Sequence, residues 1–336
     1  MIAGRRGARL AGALVLLVAA AAAPASAQQT HLLVVTGLGG TPELRERFTE
    51  WSLRIVDAAR SRYGLAEANV TWLAERPDAD PDRIDARSTR EELEGAFREL
   101  AGRVTPEDRL LVILVGHGSW NGREARINLP GPDLTAAELA AMLDAVDAGS
   151  VAVVNTASAS GPFLEALAAP GRVVVTATRS GRERNATEFG RYFADALAGE
   201  GADTDKDGRV SILEAFVFAA RGVERAYEER NLLLTEHAQL DGDGDGRGTA
   251  TPAEAGDEGS LARAFALVTP AATPAADDPE TRALLEERRR LEERVRGLRA
   301  RRDEMEPDAY DRALEELLLE LARVNADIRG RDGGGS

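Results

Sequence analysis

Five short runs of nearly unbroken aliphatic residues punctuate this chain: residues 31–36 (HLLVVT), 69–73 (NVTWL), 109–115 (RLLVILV), 150–155 (SVAVVN) and 172–176 (RVVVT). Runs this short and this apolar are strands buried on both faces. Segments with helical periodicity lie between them, at residues 42–63, from Ser88 or Thr89 to about Val104, from Thr135 to about Val146, and at 162–168. Further helices are expected over 187–197 and 212–230, with residues 263–268 (RAFALV) as a last strand. Strands and helices in this alternation make an α/β protein, a mostly parallel six-stranded sheet with helices on both faces. In such a sheet, ligands bind beyond the carboxyl ends of the strands.

Both ends of the chain have a different character. Residues 1–27 read as a secretory signal: Arg5, Arg6 and Arg9, then the apolar run from Leu10 to Ala23, then Ala25-Ser26-Ala27 as a cleavage site. Their removal leaves 39 basic against 57 acidic side chains, so the mature chain stands at −18. That excess repels a phosphate backbone and argues against nucleic acid as a partner. No later stretch is apolar enough to span a bilayer, so a secreted or periplasmic protein is expected. The chain has no cysteine, which excludes disulfides, thiolate-bound metals and a thiol nucleophile.

Residues 28–268 form the α/β domain on this reading, and residues 269–279 (TPAATPAADDP) a Pro/Ala linker. Over 280–330, Leu284, Leu291, Val295, Leu298 and Met305 keep three-four spacing, as do Tyr310, Leu314, Leu317, Leu321, Val324 and Ile328. Pro307 separates the two stretches, predicting a C-terminal α-helical hairpin or coiled coil, capable of self-association, before a disordered tail at 331–336.

Two strand ends carry chemistry. One reads Val115-Gly116-His117-Gly118-Ser119, and its expected neighbour Asn155-Thr156-Ala157-Ser158-Ala159-Ser160-Gly161. A histidine base, a hydroxyl and backbone N–H groups are the parts of an acyl-transfer site. The run Gly37-Leu38-Gly39-Gly40 lacks the spacing of a dinucleotide fingerprint.

The Gly-His-Gly end, the small-residue turn with Ser160-Gly161, and the segments 176–181, 185–190 and 235–241 together resemble the caspase–legumain superfamily of cysteine peptidases. The resemblance covers roughly residues 30–268. It implies a six-stranded sheet with a general-base histidine at His117. The nucleophile position falls on Ser158, where the family has cysteine. Gly118 and Ser158 would give the oxyanion N–H groups. A thiol, with a pKa of about 8.5, is activated by a nearby imidazole alone. An alcohol needs a base held in line by a third group. The resemblance therefore implies a catalytically inactive homologue that binds a peptide or protein. Two alternatives stay open: a serine-dependent peptidase or hydrolase using Ser158 and His117, and a scaffold acting through the C-terminal coiled hairpin.

Residues 203–214 (DTDKDGRVSILE) match a twelve-residue Ca²⁺ loop of the EF-hand type. Asp203, Asp205 and Asp207 fall at positions one, three and five, and Gly208 at six permits the turn. Arg209 would offer its carbonyl, Ser211 the position often bridged by water, and Glu214 a bidentate carboxylate. Residues 241–246 (DGDGDG) begin a second loop, but its twelfth position is Pro252 and Glu254 falls two residues late.

Overall fold

The computed structural model describes residues 28–199, 201–205, 208–252 and 259–267, with the helix Pro307–Asp332 and some positions in 280–306. The signal segment 1–27, the linker 269–279, Asp207, Glu254 and residues 333–336 lie outside the described residues.

All five aliphatic runs form strands: β1 (Thr30–Thr36), β2 (Val70–Ala74), β4 (Arg109–Val115), β8 (Ser150–Asn155) and β9 (Arg172–Thr176). The sheet has seven strands rather than six, because two short edges escape a hydropathy reading. One is β3 (Ala86–Arg87), parallel to β2; the other is β10 (Gln239–Asp241), antiparallel to β9. The expected strand over 263–268 is instead the short helix Ser260–Ala264, with a single bridge from Ala266 to Ser211. Only two or three residues of each edge strand pair, too few to leave an apolar run in sequence.

The spatial order is β10-β9-β8-β4-β1-β2-β3. The chain moves outward from β1 through β2 to β3, returns to the other side of β1 as β4, and moves outward again. The reversal falls between β1 and β4, whose seven-residue parallel register runs from Thr30↔Arg109 to Thr36↔Val115.

Each strand feeds two cores because side chains alternate across a sheet. Leu32, Val34, Leu111 and Ile113 face one core, with Phe48 and Ile55 of α1 (Pro42–Asp57), Phe193 of α5 (Phe189–Ala198) and Phe216 of α6 (Ile212–Glu229). Leu33, Val35, Val112 and Leu114 face the other, with Phe97 of α2 (Arg90–Arg103), Leu139 of α3 (Ala136–Asp144) and Phe163 of α4 (Phe163–Leu167). Four of these six helices start at a side-chain cap, among them α2, where Thr89 accepts from the Glu92 N–H, and α3, where Thr135 forms a reciprocal box with Glu138. The periodicity of 42–63 continues past α1 as one wide turn, Ala58–Arg62.

Beyond the sheet, β5 (Gly118–Trp120), β6 (Ala125–Ile127) and β7 (Leu134–Thr135) form a small antiparallel sheet directly after His117. In the C-terminal segment, Leu291 and Leu317 form a separate cluster, with Leu298, Leu314, Leu321 and Val324 against it. The helix Pro307–Asp332 takes in the first two residues of the expected tail. Among the described residues no helix is long and apolar enough to cross a membrane.

Ile113 is fully buried in the middle of β4. Ile113→Ala should lower the unfolding free energy by about 2–5 kcal/mol in urea titrations, the cost of an unfilled core site. A change below about 1 kcal/mol would contradict the two-sided burial of this strand.

Candidate functional site

The reversal between β1 and β4 marks their carboxyl ends, the usual ligand position in an open α/β sheet. The Gly37 N–H donates to the Val115 carbonyl at 2.8 Å, which joins the two strand ends. His117 stands at these strand ends, two residues past β4. Its carbonyl accepts from the Asn128 N–H at 2.9 Å, while the Asn128 carbonyl accepts from the Leu38 N–H. Phe48 of α1 meets the imidazole edge-on, with ring centres 5.2 Å apart. Burial lowers the His117 pKa from its ordinary value, and a hydrogen bond to the Gly39 backbone pulls the other way. On balance the surroundings favour the neutral ring.

Ser158 follows the adjacent strand β8 and is 1% exposed. His117 and Ser158 come together as the strand order requires, with Oγ 3.5 Å from Nδ1. The Gly118 N–H, expected to stabilise an oxyanion, donates instead to Ser158 Oγ at 3.2 Å. The hydroxyl can donate to the Gly118 carbonyl at 3.3 Å. Gly118 must be glycine here, because a Cβ would fall 2.3 Å from the Ser158 carbonyl oxygen. The next residue, Ala159, has φ of 52°, a left-handed geometry that costs a side-chain-bearing residue about 1–2 kcal/mol. Its N–H donates to the Glu183 carbonyl at 2.7 Å, which helps to hold the turn. Ser160 is also buried and bonds to Thr178 Oγ1 at 3.1 Å.

Several residues of this region carry no sequence signal. The Glu183 carboxylate accepts from the Arg179 N–H, from the His237 N–H at 3.1 Å and from His237 Nδ1 at 3.0 Å. This joins the loop after β9 to the segment before β10. Glu236, 4% exposed, accepts from the Glu188 and Phe189 N–H groups at the start of α5. Burial pushes its carboxyl up to about 7 against those bonds. An isolated Glu-His pair in sequence gives no hint of either role.

The first acidic loop lies at the other end of the sheet. It connects α5 to α6, and its last part reaches the bridge between Ser211 and Ala266. The Ala266 carbonyl in turn accepts from Arg109, the first residue of β4. The length of β4 separates it from His117, about 20 Å at 3.3 Å per residue. Asp203, Asp205 and Glu214 bring ligand atoms within 4.8 Å of one another. Gly208 takes φ of 84° and donates its N–H to Asp203 Oδ2 at 3.0 Å. Asp203 is 9% exposed, and its Oδ1 is buried with no hydrogen-bond partner. Burial raises the Glu214 carboxyl, but bonds from Ser211 and Thr204 outweigh it and leave the pKa low. Ser211, expected at a water-bridging position, caps α6 in a reciprocal box with Glu214.

The second loop, at Asp241, Asp243 and Asp245, also clusters its carboxylates. Asp241 is fully buried, and its two oxygens accept from the Gly244 and Gly246 N–H groups. This loop is closed by its own backbone.

Comparison of the chain with models of known families gives no match, and comparison with curated proteins gives none.

Glu236 gives a pH prediction. A carboxyl whose pKa is raised on folding adds stability that is complete below its unfolded value and is lost as pH rises through the folded one. Glu236 should therefore destabilise the fold progressively between pH 4.5 and about 7. Glu236→Gln should become more stable relative to the parent protein over that window, by up to a few kcal/mol. Urea titrations of both proteins at the two ends of the window check this; a pH-independent difference would sink it.

Proposed function

We propose that this chain is a caspase–legumain-like protein without peptidase activity, which binds a peptide or protein at the carboxyl ends of its strands. One observation carries the reading: the Gly118 N–H donates to the Ser158 hydroxyl. An acyl-transfer site needs that donor free for the developing oxyanion. The hydroxyl is itself buried, and its contact with Nδ1, at 3.5 Å, is at the limit of a hydrogen bond. His117 carries no carboxylate partner among the described residues, so nothing of the kind that aligns a serine triad supports the imidazole.

A fluorophosphonate probe tests this directly. The full-length protein should remain unlabelled under conditions that label a control serine hydrolase. Labelling that disappears in Ser158→Ala would replace this reading with the serine-dependent hydrolase.

Calcium in the 203–214 loop is the second part of the proposal. The unpartnered, buried Asp203 Oδ1 fits a hard cation, as does the oxygen-only donor set of Asp203, Asp205 and Glu214. Asp207 and the Arg209 carbonyl complete the sequence pattern. About 20 Å from His117, the ion would hold α5 to α6 and take no part in chemistry. Chelation should lower the melting temperature. The loss should be about 2.7 kcal/mol if calcium stood at a hundred times its dissociation constant. Asp203→Asn combined with Glu214→Gln should abolish the response. An unchanged melting temperature, with no heat of calcium binding, would remove the claim.

The cluster around Leu291 and Leu317 supports a further reading, a C-terminal helical hairpin through which copies of the chain associate. Deleting residues 280–336 should then reduce the mass measured by light scattering to that of a single domain. An unchanged assembly state would exclude the hairpin as the contact. Secretion through the 1–27 segment belongs to the same proposal.

A further inference from the structure

Between the loop after β9, the start of α5 and α6 lies a cavity of about 80 Å³ that plays no part in the arrangement above. On this measure one water needs about 10–15 Å³, so the space admits several waters or a short alkyl chain. Its walls are mostly apolar: Ala177 just past β9, Phe189 at the start of α5, Val223 of α6, Leu234 and Ala250. Three polar side chains join them: Glu236, Glu224 and His237. Glu236 is almost wholly buried, while Glu224 is exposed. Leu232 and Leu233, 57% and 88% exposed, immediately precede the lining residue Leu234.

The charge arrangement is one-sided. No cationic side chain among the described residues pairs with Glu236. The nearby arginines are committed elsewhere: Arg47 and Arg230 both bond to Glu188, which neutralises that neighbouring carboxylate. Tyr227, on α6, hydrogen-bonds to the Thr235 hydroxyl at 3.1 Å, next to Glu236, and burial raises its phenol above the ordinary value. His237 is tied through Nδ1 to Glu183, so a charge on its ring would be balanced locally. Helix N–H groups favour the anion, but a buried carboxylate beside an apolar space still lacks a counter-charge. It completes its environment by taking up either a proton or a cation.

We propose that this cavity receives the side chain of a lysine from a bound peptide, the methylenes against Phe189, Val223 and Leu234 and the ammonium at Glu236. Glu224 lies on its path as an attracting charge. The inference rests on the preceding section only in making the ligand a peptide. The cavity itself is independent of whether Ser158 reacts. Because cation and proton compete for one carboxylate, affinity rises with pH over the range in which Glu236 ionises.

The test uses the full-length protein and two probes, N-acetyl-lysine methylamide and N-acetyl-norleucine methylamide, which share an alkyl stem but differ in charge. Amide shifts of Ala177, Ala238 and Ala250 are followed by NMR. The lysine probe should shift them at least tenfold more tightly than the norleucine probe, and more tightly at pH 8 than at pH 6. Glu236→Gln should lose the preference while remaining folded by melting temperature; Ser158→Ala should keep it. Equal binding of the two probes, no shifts with lysine, or a preference retained in Glu236→Gln would overturn the proposal. If lysine binds here but a lysine-containing peptide leaves the amides of 117–120 and 158–161 unmoved, the strand-end reading fails and the cavity stands.

Discussion

The parallel pairing of β1 with β4 is the contact on which the rest of this fold hangs. Both strands are buried throughout except at Arg109, the first residue of β4, so their polar backbone has no alternative to the ladder. Their alternating side chains supply both cores at once. Because the chain reverses direction between them, β1 leads to α1 on one face of the sheet and β4 to α3 on the other, and His117 stands where the two turns meet. The same geometry that buries Leu33 and Ile113 thereby places the imidazole at the strand ends.

On the proposed function, a single element separates two chemical outcomes at these strand ends. Sulfur is larger than oxygen and ionises far more readily, so an imidazole at modest range is enough to activate it. With oxygen at Ser158 the hydroxyl turns into the local hydrogen-bond network. It accepts from Gly118 and faces the Gly118 carbonyl, and the site closes on itself. The loop after β9 reinforces this closure through Glu183, whose backbone helps to hold the strained Ala159 and whose carboxylate secures His237.

The legibility of the sequence follows the same physics. Continuous burial leaves long aliphatic runs, so the five central strands, both layers of helices and the neighbouring His117 and Ser158 could be read directly. The cap at Thr135 was equally plain, and that of α2 was narrowed to Ser88 or Thr89, of which Thr89 serves. What could not be read depended on tertiary contact: the two-residue and three-residue edge strands, the small sheet after His117, and the helix at 260–264. The occupation of the Gly118 N–H belongs to the same class, because a motif names a donor without saying what already faces it. Glu236 was hidden because its unusual proton affinity comes from the walls around it, and its sequence neighbours give no sign of them. The Ca²⁺ pattern was readable by spacing; that its serine also caps the helix that follows was not.

The acidic loop between α5 and α6 and the strand ends at His117 stand at opposite poles of the sheet. Groups that far apart, sharing no partner, contribute to stability almost independently. On the function proposed above, durability and recognition are governed by separate sets of side chains, and selection could alter either without disturbing the other.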